Sequence, residues 1–222
     1  LPPSIAEELK TNAQVRSRYF DSATVIFIDF TGFTRLVETM EPASVIDQLH
    51  QHFGRFDDIM ASHRLEKLKT IGDAYLAVGG LPHANRTHPI DAALSALQIQ
   101  DHLSKLNRQR EKLHLPAWQA RIGINTGPVI AGVVGKHKFT YDVWGNTVNT
   151  AERIEAAALP GSISISESTW QHIKTRFETE PRGAVEVKHK GLVNMHFLNR
   201  IKPDYAADAA GIMPNERFWK QE

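Results

Sequence analysis

Val25-Ile26-Phe27-Ile28-Asp29-Phe30-Thr31-Gly32-Phe33-Thr34 is the stretch from which the rest of the chain is read. Four apolar residues in a row predict a buried strand. An acid then stands where a core strand should carry none. A Thr-Gly turn follows, and an amphipathic segment opens at Thr34-Arg35-Leu36-Val37. Asp29 is therefore expected at the C-terminal end of a central strand, just ahead of a helix N-terminus. A carboxylate in that place can hold a divalent metal, and the free N–H groups of the helix can hold phosphates. It can equally serve as a helix cap, for which Asp is a favoured residue.

Two later stretches bear on that choice. Leu65-Glu66-Lys67-Leu68-Lys69-Thr70-Ile71-Gly72-Asp73-Ala74 predicts a strand with Leu65, Lys67, Lys69 and Ile71 on one face, a Gly72-Asp73 hairpin turn and a returning strand. Gly-Asp is ordinary turn chemistry. Yet two acids at strand ends, one beside a helix N-terminus, are what a two-metal phosphoryl-transfer site needs. In Tyr141-Asp142-Val143-Trp144-Gly145-Asn146-Thr147-Val148-Asn149-Thr150-Ala151-Glu152-Arg153 a strand ends near Asp142 and a helix starts near Gly145. Asn149 and Arg153, four apart, share one helix face. They could hydrogen-bond a sugar oxygen and a phosphate, or be a plain surface pair. Arg121 alternates with apolar neighbours in Ala120-Arg121-Ile122-Gly123-Ile124 and so lies on the opposite face, as a solvated charge or a phosphate contact.

Around these stretches, residues 1–21 read as a polar, weakly helical connector. A helix starts at Glu41-Pro42-Ala43-Ser44, with Val45, Ile46, Leu49, Phe53, Phe56, Ile59 and Met60 at helical spacing. Another runs over 89–112. Strands are expected over 120–127, 128–135 and 137–143, then 162–165, 184–190 and 195–201, with a helix start at Ser166-Glu167. Residues 202–222 form an unperiodic tail. The order strand, helices, hairpin, helix, hairpin predicts an α+β fold around a ferredoxin-like βαββαβ sheet with added strands and helices.

Composition narrows the function. The 222 residues suffice for one sizeable domain with a real core. A net charge of +1 gives no case for nucleic acid or a membrane surface as partner. With no cysteine, disulfides and thiolate metal sites are excluded, which fits a reducing compartment. No apolar run approaches the length of about 20 residues that a membrane span needs, and no signal peptide is visible. Leu1-Pro2-Pro3 opens the chain without Met, as a piece of a longer protein would.

The three motifs, Phe27-Ile28-Asp29-Phe30-Thr31-Gly32-Phe33-Thr34, Lys69-Thr70-Ile71-Gly72-Asp73 and Asp142 to Arg153, stand in one order that resembles class III nucleotidyl cyclase catalytic domains. The resemblance covers about 22–201, and residues 1–10 resemble the connector that precedes such domains in larger sensor proteins. It implies that Asp29 and Asp73 bind two Mg²⁺ or Mn²⁺ ions, with the backbone carbonyl of Ile28 as a further ligand. The turn Phe30, Thr31, Gly32 and Phe33 would wrap the β- and γ-phosphates. Lys69 and Asp142 would read adenine, Lys donating to N1 and Asp accepting from the 6-amino group; guanylyl cyclases carry Glu and Cys there. Asn149 would orient the ribose and Arg153 stabilise charge on the transferring phosphate. Lys188 would bind triphosphate, and Arg121 would add a second basic contact. The implied site is shared between two protomers of a homodimer, one giving the metal residues and the other the base and transition-state residues.

Three positions depart from the family pattern. Glu152 replaces a small residue before the arginine, His189 stands where Gly is frequent, and Phe30 replaces an aliphatic residue. The expected activity is that of an adenylyl cyclase, making cyclic AMP and pyrophosphate from ATP on the cytoplasmic side, under an upstream sensor. Two rivals are a guanylyl cyclase, disfavoured by Lys69 with Asp142, and a non-catalytic regulatory half, disfavoured by the presence of both acids and the Asn/Arg pair.

Overall fold

In the computed structural model, which describes residues 1–188 and 190–220, the opening stretch is the interior of a 13-residue strand, β1 (Arg18–Phe30). After it come helices α2 (Phe33–Thr39) and α3 (Pro42–Ser62), the hairpin β2 (Leu65–Ile71) and β3 (Ala74–Gly79), helix α4 (His88–Lys112) and strand β4 (Ala120–Val134). These four strands lie in the order β2-β3-β1-β4, each antiparallel to its neighbour. That is the βαββαβ order expected of a ferredoxin-like core. β5 (Thr140–Trp144) folds back on β4, and helix α5 (Asn146–Ala156) follows. β6 (Ile163–Ser166) runs parallel to β4; helix α6 (Glu167–Ile173) and the hairpin β7 (Phe177–Val187) and β8 (Gly191–Ile201) extend the sheet to eight strands among the described residues. A helix, α1 (Pro3–Asn12), precedes the sheet.

Strand alternation sends side chains to two faces, and each face has its own core. Ile26, Ile28 and Phe30 pack with Phe56, Ile59 and Met60 of α3 and with the buried Ala/Leu face of α4. Val25 and Phe27 point the other way and pack with Ala151 of α5 and Ile5 of α1. Asp29 has the parity of Val25 and Phe27, so it leaves the strand on the α5 face.

Three expectations are corrected. Residues 120–134 form one continuous strand rather than two, with Pro128 accommodated inside it, and the next strand starts at Thr140. Leu65, Lys67, Lys69 and Ile71 do not share a face: the pairing of β2 with β3 slips between Lys67 and Lys69. An extra residue in one strand reverses the side-chain alternation beyond it. Ile46, placed among the apolar positions of α3, is 63% exposed. Within the tail, Phe218 is buried in the first core, with Tyr205, Ala206 and Ile212 packed against that core. At the other end, residues 1–21 hold α1, the buried Ile5 and the first residues of β1.

Candidate active site

The β2 slip places Lys69. Lys67 stays on the α3 face, where Nζ donates to Asp57 (2.9 Å) beside the Tyr75 hydroxyl, which donates to the same carboxylate (2.7 Å). Lys69, now opposite Leu76 of the second core, emerges on the other face and donates to the Asp142 carboxylate of β5. The lysine side chain is 37% exposed and the aspartate 12%. The backbone N–H of Val143 donates to the other oxygen of Asp142 (2.9 Å), which fixes the carboxylate's orientation. Two residues 73 positions apart therefore present one donor and one acceptor side by side.

At the far end of β1 a different cluster forms. Asp29, the turn 30–34, Asp73, Arg121, Ala158 and Pro160 line one open cavity of about 430 Å³. The turn is held by Thr31, whose N–H and hydroxyl both donate to the Gln119 carbonyl (2.8 and 3.1 Å). Gly32 adopts φ 71°, a left-handed conformation that favours glycine, and so allows the chain to enter α2 directly. Arg121, opposite Asp29 in the β1–β4 pairing, donates from Nη2 to the Asp29 carboxylate (2.7 Å). Its Nε lies 3.0 Å from Glu155 Oε1 on α5. Arg121 is thus neither a freely solvated charge nor an unengaged anion contact: it is clamped between two acids.

The electrostatics follow from this crowding. Burial, and then the nearby Asp29 carboxylate, raise the Asp73 carboxyl above its ordinary range. Burial pushes the Glu155 carboxyl up to about 7, with Asp29 adding to the shift and Arg121 opposing it. Carboxylates that repel one another and share a single guanidinium suit a divalent cation. Asp29 and Asp73 are the residues that could hold it. Among the described residues no group of three or more His, Asp or Glu gathers as a complete protein-only metal site. Two carboxylates, completed by phosphate oxygens, are the usual provision for Mg²⁺.

α5 is seated on the sheet by local chemistry. The Thr147 hydroxyl donates to the Pro128 carbonyl (2.6 Å), and Asn125 Nδ2 donates to the Thr147 carbonyl (3.0 Å). Gly123 of β4 is what lets the helix approach: a Cβ there would lie 2.2 Å from the Glu155 nitrogen. On this helix Asn149 is exposed and Arg153 half-buried, with Glu152 3.8 Å from the Arg153 guanidinium. Neither Asn149 nor Arg153 lines the Asp29 cavity.

Of the residues singled out in the sequence, the fold brings Asp29, Asp73, Arg121 and the turn Phe30 to Phe33 together, and Lys69 to Asp142. Ile28 is buried in the core with its backbone between β3 and β4. Lys188 is exposed in the β7–β8 turn and joins neither group. The other lysine of that turn, Lys190, reaches α5, donating to Asn146 Oδ1 (2.5 Å) and to Thr150. His189 lies outside the described residues. Glu155 was not singled out. Helical periodicity was the available signal, because it sets Glu155 in line with the buried Thr147, Ala151 and Ala158.

Comparison with known proteins adds a family. The model described as adenylate and guanylate cyclase catalytic domain matches residues 15–200. Retinal guanylyl cyclase 1 of Rattus norvegicus is 39% identical over 202 residues, 89% of this chain and 18% of its own length. An adenylate cyclase of Mycobacterium bovis is 36% identical over 199 residues, 89% of this chain and 44% of its own length. The chain thus spans less than half of either relative. The guanylate cyclase domain of RhGC from Catenaria anguillulae, solved in complex with GTP, superposes with a TM-score of 0.77 at 34% identity, covering 83% of this chain and all of that one.

Proposed function

Because the chain belongs to the adenylate and guanylate cyclase catalytic domain family, we propose that it is the catalytic domain of an adenylyl cyclase, converting ATP to 3′,5′-cyclic AMP and pyrophosphate. The observation that carries this choice is the Lys69–Asp142 pair. A donor beside an acceptor matches adenine N1 and the 6-amino group. Guanine offers a donor at N1 and an acceptor at O6, so it would set like against like in a partly dry pocket.

In this reading the turn Phe30 to Phe33 cradles the β- and γ-phosphates, and Arg121 and Lys188 meet the triphosphate. Asp29 and Asp73, with the Ile28 carbonyl, would hold two Mg²⁺ or Mn²⁺ ions, which would supply positive charge at the phosphates and acidify the 3′-hydroxyl. Asn149 orients the ribose so that this hydroxyl faces the α-phosphorus in line with the departing pyrophosphate. Arg153 donates to the α-phosphate oxygens as charge shifts onto the leaving group. The protein makes no covalent bond to the substrate; it positions and stabilises charge.

Asn149 and Arg153 stand apart from the Asp29 cavity within one chain, which supports a site completed by a second copy. A surface for that copy exists. Tyr19, Ile130 and Trp144 are cross-strand neighbours in register on β1, β4 and β5, and are 66%, 46% and 40% exposed. Exposed apolar side chains lined up across three strands suit an interface better than solvent. We read the domain as a homodimer that works in the cytoplasm under a sensor elsewhere in the full protein. Among the described residues no helix is long and apolar enough to cross a membrane.

The test is product formation from ATP and from GTP, with Mg²⁺ and Mn²⁺ compared. A site built on hydrogen bonds rejects a mismatched group by up to roughly 10⁴-fold, so strong preference for ATP is expected. Lys69→Glu with Asp142→Cys should erode that preference, with lower total activity because the neighbouring groups remain arranged for Lys and Asp. Wild-type preference for GTP would make the domain a guanylyl cyclase. An unchanged ATP-to-GTP ratio in the double variant would show that these two residues do not read the base.

A further inference from the structure

Arg121 already engages one of the two acids that the reading above gives to the cation. Its guanidinium donates to Asp29 at 2.7 Å, so Asp29 already has a positive partner. A divalent ion that takes Asp29 competes with that contact. A cation released into a cavity with no other acid would stay close to Asp29 and repel the incoming ion. Here a second acid is in reach. Glu155 Oε1 sits 3.0 Å from the Nε of the same guanidinium, with its side chain 8% exposed. Its backbone cannot drift, because α5 is pressed on β4 at Gly123.

Resting on Asp29 as a metal-binding acid, we propose that Glu155 is a positioning residue for Arg121: it retains the guanidinium when a divalent cation takes Asp29, and so lowers the cost of metal entry. Its own carboxyl also feels Asp29 and Asp73 directly, so the test must isolate the part of its effect that runs through the arginine it touches. The same hold keeps Arg121 at the rim of the Asp29 cavity. Because Glu155 is two residues beyond Arg153 on α5, the clamp also links that helix to the acid end of β1.

A double-mutant cycle read by direct metal binding tests this. Free Mn²⁺ is titrated onto the domain without nucleotide and followed by electron paramagnetic resonance, for wild type, Glu155→Gln, Arg121→Gln and the double variant. Glu155→Gln leaves Asp29 as the only acid in contact with the guanidinium, which keeps its bond to the Ala156 carbonyl (3.3 Å), and should weaken Mn²⁺ binding about fivefold to tenfold, within the range for directly coupled residues. In the Arg121→Gln background the same change should be nearly silent, because a buried carboxyl without a cation takes a proton and Gln resembles it. Equal weakening in both backgrounds, or none in either, overturns the proposal. Glu155→Asp provides a second route should the Gln variant fold poorly: it keeps the charge but falls short of Arg121, and its effect should likewise require Arg121. Asp29→Asn is the control for the underlying reading. If it leaves Mn²⁺ binding intact, both the metal assignment and the proposal fall. If it abolishes binding while the cycle shows no coupling, the proposal alone falls.

Discussion

The Lys69–Asp142 and Arg121–Asp29 pairs each join an acid to a basic side chain from another strand, and their surroundings differ in balance. At Lys69–Asp142 one cation meets one anion, and Asp142 is further satisfied by the Val143 N–H. At the end of β1, Asp29, Asp73 and Glu155 crowd around the single guanidinium of Arg121. A balanced pair, partly exposed, is suited to a neutral partner that it can match hydrogen bond for hydrogen bond. An acid-rich cluster is suited to a partner that brings positive charge, because burial and the nearby Asp29 carboxylate hold the Asp73 and Glu155 carboxyls above their ordinary range. Charge bookkeeping thus separates reading a base from holding a metal, although each place contains the same kind of ion pair.

If that contrast is right, the acid end carries the larger functional effect. Asp29→Ala and Asp73→Ala should each remove nearly all turnover while leaving the fold intact. Loss of one charge-stabilising donor typically costs about 10²-fold or more, and loss of a metal acid should cost at least as much. Steady-state rates with circular dichroism as a fold check decide it; a folded variant that keeps half its activity breaks the two-metal reading. The next effect asks whether the α5 residues and the acid end of one chain serve different sites. Asp73→Ala and Arg153→Ala homodimers should each be nearly inactive, and mixing them should restore part of the wild-type rate. A mixed dimer rebuilds one site from undamaged halves and leaves both lesions in the other. No recovery, with subunit exchange shown independently, sinks the shared-site model.

Much of this arrangement was legible in the sequence, and the exceptions share a cause. Four apolar residues ending in Asp29 placed a central strand, because burial on both faces leaves a continuous apolar run. Gly72-Asp73 placed a turn through its chemistry. The face of Lys69 was not legible, since one slipped residue in β2 reverses alternation and a bulge has no fixed composition. Pro128 read as a strand break because proline removes a ladder donor, yet β4 runs on through it. The tail's Phe218 had no periodicity to reveal it; it is held by tertiary contact with Phe177 and Tyr205. Glu155 was hidden for the opposite reason. Its helical position marked it as buried, but its partner on β4 is 34 residues away in the chain, and only the closed fold brings the two together.

The smallest effect sharpens the contrast by titration. The Glu155 carboxyl is pushed up from 4.5 to about 7, chiefly by burial. A carboxyl whose folded pKa is raised binds protons more readily in the folded state than in the unfolded one. Its contribution is therefore a penalty, absent below pH 4.5, growing as pH rises, and complete above about 7. The full penalty is on the order of 3–4 kcal/mol at about 1.4 kcal/mol per pKa unit. Glu155→Gln removes this group's titration while filling the same volume. Urea unfolding at pH 5, 6, 7 and 8 should show wild type losing stability relative to the Gln variant at each step up to about pH 7, with no further change beyond. Parallel curves for wild type and Glu155→Gln would mean that Arg121 fully compensates the buried acid, and that the two ends of the sheet differ less in balance than their geometry implies.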